Sequence, residues 1–589
     1  MREYKYKCKV GNGYINSIKN NNNVLQMTGG LLNIVSYGNQ NVILNSNPKK
    51  SFFKTTYAKY TNFGMQKFRI DFTGQRNLRM SEESRFTFTV PRYAELLMDT
   101  YLVVTLPTIW SPIYPPIACD DVWHPYEFRW IENLGTQMIK EITFSVGGQT
   151  LQRVTGKYLL AQVQRDLNGT KRFLYDSMTG STAELNDPAN FSGRNGTYPN
   201  VYYNTSQQGP EPSIRGRKLY IPLNAWFCNN SRAAFPLVAL QYNELQVDVI
   251  MRPVRELFVT RDVTYQAATP AEVARAPFIQ PNFNEQEYQF YRFLQPPPAD
   301  DITTSDVYDD KRTDWNADVH LLSTYCFLSA EESRVFASQE QKYLLKEAYE
   351  WEYKNITGSH RVELQNTMGM VATWMLMFQR SDINLRNQWS NYTNWPYSDV
   401  IPDDVVPAAR TGTYANPCPP PKPRTIGPGV EPDGTTSTGL YVTQDYNVEN
   451  QREILQQLGI LLNGSYRENM LESGVYNYVE KYIRTTGSAP FGLYIYNFGL
   501  DASNAAYQPS GAINMSKFSA IELEFSTYVP PLDPNAQSYT ICNPETGIPV
   551  GVNKPQWRIY NYNYDLTVLE ERYNVLTFIG GNCALMYAR

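Results

Sequence analysis

Apolar residues recur at every second position along much of this chain, and that period ties it to β-sheet. Arg85-Phe-Thr-Phe-Thr-Val90 puts Phe86, Phe88 and Val90 on one face. Ile142, Phe144 and Val146 repeat the pattern up to Gly147-Gly148, and Thr150-Leu151 resumes it, which predicts a hairpin. Leu245, Val247 and Val249 do the same further on. Tyr101 to Leu106 is almost continuously apolar, as a strand covered on both faces would be. Aromatic residues make up 14% of the chain, which fits strands and large packed interfaces. All-β units run to about 200–250 residues, so 589 residues accommodate two large β domains.

Other segments punctuate this pattern. Leu160, Val163 and Leu167 share one helical face and predict a short helix over 157–167. Residues 168–217 are rich in Gly, Asn, Ser and Pro and read as a long exposed loop. Residues 259–314 read as a connector, with Pro296-Pro-Pro298 and Asp-rich turns. A second β half opens near Trp315 with a strand from Val319 to Leu328, then a capping box at Ser329-Ala-Glu-Glu332. Trp374 to Phe378 is another strand. Ten prolines between Pro396 and Pro432 exclude a central strand there and predict a surface insertion over about 396–440.

The residues that carry chemistry are scattered. His124, His320 and His360 lack HxH or HExxH spacing, so neither a metal site nor a His-based triad is expected. No phosphate-cradling glycine loop occurs, and no cofactor is expected. Glu331-Glu332 and Asp403-Asp404 fit helix starts and turns better than glycosidase work. Seven cysteines without a CxxC pair read as reduced thiols of a protein made in the cytosol. Net charge is −4, which opposes a role in gripping nucleic acid. No apolar run reaches 18 residues, and Met1-Arg-Glu-Tyr-Lys opens a polar segment unlike a secretory leader. Nine Asn-x-Ser/Thr sequons are candidate glycan acceptors: Asn168, Asn190, Asn195, Asn204, Asn229, Asn355, Asn391, Asn463 and Asn514.

One stretch is more specific than any of these. Gly29 to Gln66 runs from Gly29-Gly-Leu-Leu32 through Asn47-Pro48 to Phe52-Phe-Lys54 and Thr61-Asn-Phe63. Its aromatic part, Phe52 to Tyr60, leans towards β structure. The segment resembles the N-terminal signature of the double jelly-roll major capsid proteins of nucleocytoplasmic large DNA viruses. The resemblance continues at Val90-Pro-Arg92, Gly147-Gly-Gln149, Ile221-Pro-Leu-Asn-Ala-Trp-Phe-Cys228, Gln508-Pro-Ser-Gly511 and Glu571-Arg-Tyr573, and so covers residues 28–589.

The resemblance implies an all-β fold of two consecutive eight-stranded jelly rolls, with long loops and a few short helices. On that reading residues 1–27 are an N-terminal arm, 28–258 a first jelly roll, 259–314 a connector and 315–589 a second jelly roll. It implies a structural protein, not an enzyme, forming pseudo-hexameric homotrimers in an icosahedral virion assembled in host cytoplasm. Neighbouring capsomers, minor capsid proteins and penton proteins would be its partners, without sequence-specific nucleic-acid contact. The alternatives are a minor capsid or scaffold homologue, or a carbohydrate-binding jelly-roll protein. The arm lies ahead of the resemblance. Arg2, Lys5, Lys7, Lys9 and Lys19 against Glu3 fit either a solvated tail or an arm that docks on a neighbour or an acidic inner membrane.

Overall fold

Among the described residues, sixteen of the thirty strands divide into two sets of eight that repeat one topology. The computed structural model describes residues 29–55, 57–74, 77–114, 124–199, 211–264, 277–298, 308–365, 368–398, 451–503, 508–530 and 560–587, with short pieces between 424 and 442 and between 539 and 553. The first set is β1 (Phe63–Ile70), β2 (Ser84–Thr89), β3 (Leu96–Thr105), β4 (Ile139–Val146), β5 (Gln149–Thr155), β6 (Lys218–Pro222), β7 (Leu245–Met251) and β8 (His320–Leu328). They form two antiparallel sheets, ordered β1-β8-β3-β6 and β2-β7-β4-β5.

The second set is β9 (Gln341–Ile356), β10 (Ser359–Glu363), β11 (Met370–Arg380), β12 (Leu455–Leu462), β13 (Ser465–Glu472), β14 (Leu493–Asn497), β15 (Ile521–Thr527) and β16 (Tyr564–Ile579). Their sheets are ordered β9-β16-β11-β14 and β10-β15-β12-β13. Strand by strand, this is the first permutation again. Each set is an eight-stranded jelly roll.

The alternating pattern sets which faces are buried. Phe86, Phe88, Ile142, Phe144, Val247 and Val249 are all buried inside the first roll. Gly147 and Gly148 turn the β4–β5 hairpin at positive φ, a conformation that costs residues with a Cβ. Asn463 and Gly464 do the same for β12–β13.

The boundary between the halves differs from the sequence reading. The strand His320–Leu328, expected to open the second half, closes the first, lying between β1 and β3. A strand's own residues report its faces but not its partner, and Leu321 and Tyr325 point into the first roll's core. The stretch 168–217 is also not loop throughout. Asn168 caps a helix Gly169–Thr179, which ends on Gly180 at φ +81°. The expected helix over 157–167 is present as Gly156–Asp166, and Ser329 caps the helix Ala330–Ser338.

Residues up to Thr61 form a unit of their own. Its described part holds two short helices, Gly29–Val35 and Asn39–Asn45. The β-leaning run Phe52 to Tyr60 forms no strand among the described residues, and Phe52 and Phe53 are fully exposed. A strand needs a neighbour for its backbone groups, and propensity alone does not supply one.

The register places the long connectors. Ile70 faces Leu321, His320 faces Val103, and Thr105 faces Lys218. In the partner sheet Ser84 and Ile139 both face Met251. The β1–β2, β3–β4, β5–β6 and β7–β8 connectors therefore leave one end of the roll, and the β2–β3, β4–β5 and β6–β7 connectors leave the other. The second roll divides its connectors between two ends in the same order, with Ile356 and Arg380 both facing Tyr564. Residues 168–217 belong to β5–β6 of the first roll, and the proline-rich insertion to β11–β12 of the second. Most of 399–450, like the arm 1–27 and residue 28, lies outside the described residues.

Candidate functional site

The two rolls meet along a seam built from β5 and the helix after it on one side and the β9-β16-β11-β14 sheet on the other. The contacts climb both elements together. Gln152 donates to the Lys346 carbonyl at 3.2 Å, the Thr155 hydroxyl to Glu350 at 2.8 Å, and the Lys157 ammonium to Glu352 at 2.5 Å. Strands β5 and β9 thus run in the same direction, and the rolls stand side by side with the β5–β6 and β11–β12 connectors at one end.

At its centre the seam buries charge. Arg165 and Glu571 are both fully buried, with Nη1 2.8 Å from Oε2. The Tyr158 hydroxyl donates to Glu571 Oε1 at 2.8 Å, and Lys346 Nζ lies 3.9 Å from Oε2. Arg165 also pairs with Asp166 at 2.7 Å, and Lys346 donates to the Ala502 and Ser503 carbonyls, each at 3.1 Å. Burial alone would raise the Glu571 pKa. Arg165 and Lys346 outweigh it and hold the carboxyl below its usual value. Around this centre Met375, Met377, Leu493, Ile495 and Leu569 of the second roll join the apolar cluster of the first. A buried ion pair in an apolar seam resists any sliding that would separate its charges.

Above the pair the seam opens into a groove of about 700 Å³, lined from both rolls by residues such as Arg153, Lys157, Glu352 and Lys354. Its charges pair with one another: Arg153 with Glu141, and Lys354 with Asp565 at 3.1 Å. At its rim Arg380 grips Asp382 through two bonds of 2.8 Å, Arg386 adds two of 2.9 and 3.1 Å, and the Arg380 guanidinium lies 3.5 Å above the Tyr562 ring.

Burial opposes ionisation of Asp382, but Arg380 and Arg386 prevail and lower its pKa to about 2. A carboxyl whose folded pKa is depressed adds stability above its unfolded pKa and loses it as pH falls through the folded value. Asp382→Asn is therefore expected to cost roughly 2–3 kcal/mol at pH 7. It should also flatten the stability profile between about pH 4 and pH 2. Urea unfolding at several pH values measures both effects.

The sequon residues stand apart from the seam. Asn168, Asn190, Asn195, Asn355, Asn463 and Asn514 are exposed, and Asn229 is half-buried. Asn204 lies outside the described residues. Asn391 is corrected as an acceptor. It is 1% exposed, donates to the Trp395 carbonyl and accepts from both Thr393 groups, so no transferase reaches it in the folded chain. His320 is buried and bonded to the Asp318 carbonyl. Among the described residues no group of His, Cys, Asp and Glu is arranged to hold a metal ion. Glu571 falls within a family motif that gives it no role; the available signal is Glu570-Glu571-Arg572, three consecutive charges in the middle of a strand whose residues are mostly buried.

Comparison with known proteins places both rolls. The family model described as "Major capsid protein N-terminus" matches residues 51–283, and "Large eukaryotic DNA virus major capsid protein" matches 332–584. The chain is 33% identical over 274 residues to the major capsid protein of Chrysochromulina ericina virus, covering 42% of this chain and 46% of that protein. It is 22% identical over 562 residues to the major capsid protein of Paramecium bursaria Chlorella virus 1, covering 95% of this chain and all of that one. The chain spans less than half the length of the first of these relatives. Among solved structures, the Faustovirus major capsid protein matches with a TM-score of 0.56 at 12% identity, over 93% of this chain and 96% of that one.

Proposed function

We propose, for a chain that belongs to the major capsid protein family of large eukaryotic DNA viruses, that it assembles as a pseudo-hexagonal homotrimer tiling the flat faces of an icosahedral shell. The observation that supports this is the doubled jelly roll locked side by side. Three copies of a two-lobed unit present six similar lobes around one axis. Obligate interfaces of this kind bury roughly 2,000–5,000 Å² and resemble a core cut in half.

The role is structural, with no chemical step. The first lobe ends at Leu328 and the second begins at the helix Ala330–Ser338. The end that carries residues 168–217 and the proline-rich insertion faces outward, and the exposed sequons carry any glycan. Neighbouring capsomers contact the lobe sides, and minor capsid and penton proteins complete the shell. Residues 1–27 reach inward towards such a protein or the acidic surface of an inner membrane. Synthesis in host cytoplasm accords with the free thiols of Cys228, Cys326 and Cys583.

Light scattering on the purified full chain tests the trimer. The expected particle has three times the chain mass and persists on dilution. A monomer at all concentrations would sink the reading.

A further inference from the structure

We propose that the N-terminal unit of the chain docks on an anionic lipid bilayer and inserts exposed apolar side chains among its headgroups. This rests on the reading of a shell protein whose N-terminal end reaches inward, and it names the partner of that end. Charge is the first observation. After Glu3 the next acidic residue is Asp71. Between them lie ten basic residues and no carboxylate. The whole chain carries −4, so its positive charge is concentrated at this end.

Exposure is the second observation. The helices Gly29–Val35 and Asn39–Asn45 contain no charged residue. The first exposes Ile34 and Val35, and the second Val42, Ile43 and Leu44, with Ile43 85% exposed. In the run that follows, Phe52 and Phe53 are fully exposed. Helices of seven residues are marginal in water by themselves. So much apolar surface in one unit marks an interaction site.

The distribution of these side chains selects the occupant. Successive residues lie about 100° apart around a helix, so Val42, Ile43 and Leu44 wrap about 200° of theirs. A protein groove meets one apolar stripe of a helix, whereas the boundary between lipid headgroups and acyl chains closes around a short uncharged one. Nucleic acid would engage the lysines but offers nothing to the aliphatic side chains. A second copy of the unit would bring like charge to like. Lys49, Lys50, Lys54 and Lys59 are interspersed with Phe52, Phe53, Tyr57 and Tyr60. At an acidic bilayer the lysine stems lie along the apolar layer with their ammonium groups at the lipid phosphates, and the aromatic rings sit at headgroup level. Apolar insertion and a basic patch together supply the two signals that stable anchoring needs.

The test is co-sedimentation of the full chain with vesicles of phosphatidylcholine alone or mixed with phosphatidylserine. Binding to the mixed vesicles is expected, falling as salt rises and at least tenfold weaker on the neutral ones. Phe52→Ser with Phe53→Ser should weaken it at least tenfold. Lys49→Ala with Lys50→Ala should weaken it roughly twentyfold, since each lysine near an acidic surface contributes about fivefold. All four side chains are exposed, so near-UV circular dichroism should match wild type.

Failure to sediment with the mixed vesicles would overturn the proposal, as would equal binding to the neutral ones. Undiminished binding by the phenylalanine variant would do the same, because charge alone would then suffice. Retention on duplex DNA instead of vesicles, lost in the lysine variant, would assign the unit to nucleic acid and overturn it as well. A trimer by light scattering that ignores vesicles defeats this inference alone. A monomer that binds them defeats the trimer reading alone.

Discussion

Glu571→Leu is expected to destabilise the chain by about 3–5 kcal/mol, the usual cost of leaving a buried charge without its partner. The substitution removes the carboxylate that receives Arg165, Tyr158 and, at longer range, Lys346. Arg165 keeps Asp166 but loses its partner across the seam. The loss should fall on the attachment between the lobes, because Glu571 stands on the second roll and its first two partners on the first. Adding Arg165→Met should recover much of the stability, since apolar replacement of both members of a buried pair is often neutral. Urea unfolding followed by tryptophan fluorescence measures the two variants. Equal destabilisation by the single and double substitutions would show that the pair is not what couples the lobes.

Gly156→Ala should have a comparable effect by a different route. A Cβ at Gly156 would lie 2.0 Å from the Ile139 carbonyl oxygen and 3.0 Å from that of Thr136. Both are backbone atoms that cannot rotate away, so the helix must lift from strand β4. Overpacking typically costs about 1–3 kcal/mol, and more where backbone has to move. The lifted helix is the one that inserts Tyr158 and Arg165 into the seam, so the damage should spread to the lobe contact. Gly474 opens the equivalent segment of the second lobe, the π-helical turn Val475–Val479 and the helix Glu480–Arg484, and is the internal control. Its nearest neighbour is a Tyr478 side-chain carbon at 3.7 Å. Gly474→Ala should be tolerated, or stabilise by up to about 1 kcal/mol from helix propensity. Thermal unfolding of the two alanine variants side by side distinguishes the sites.

These expectations show how unevenly the molecule could be read from its residues. The alternation around Phe86, Ile142 and Val247 reported strands and their buried faces, because side chains on a strand point to opposite sides in strict turn. Gly147-Gly148 marked a hairpin and Ser329 a helix start, because positive φ and unpaired helical N–H groups each demand particular residues. The identity of the strand His320–Leu328 was legible, but its membership was not. A strand's hydrogen bonds come from its backbone, which carries no address.

The sequence by itself determined the class of structure, strands with alternating faces and a dense family signature, and the absence of motif-level chemistry. It determined these because propensity, periodicity and turn stereochemistry act over a few neighbouring residues. Only the tertiary structure decided that both halves share one permutation of strands. The same is true of the Arg165–Glu571 pair at the seam. Those facts depend on which distant segments meet, and that is set by the burial of whole surfaces rather than by any local preference.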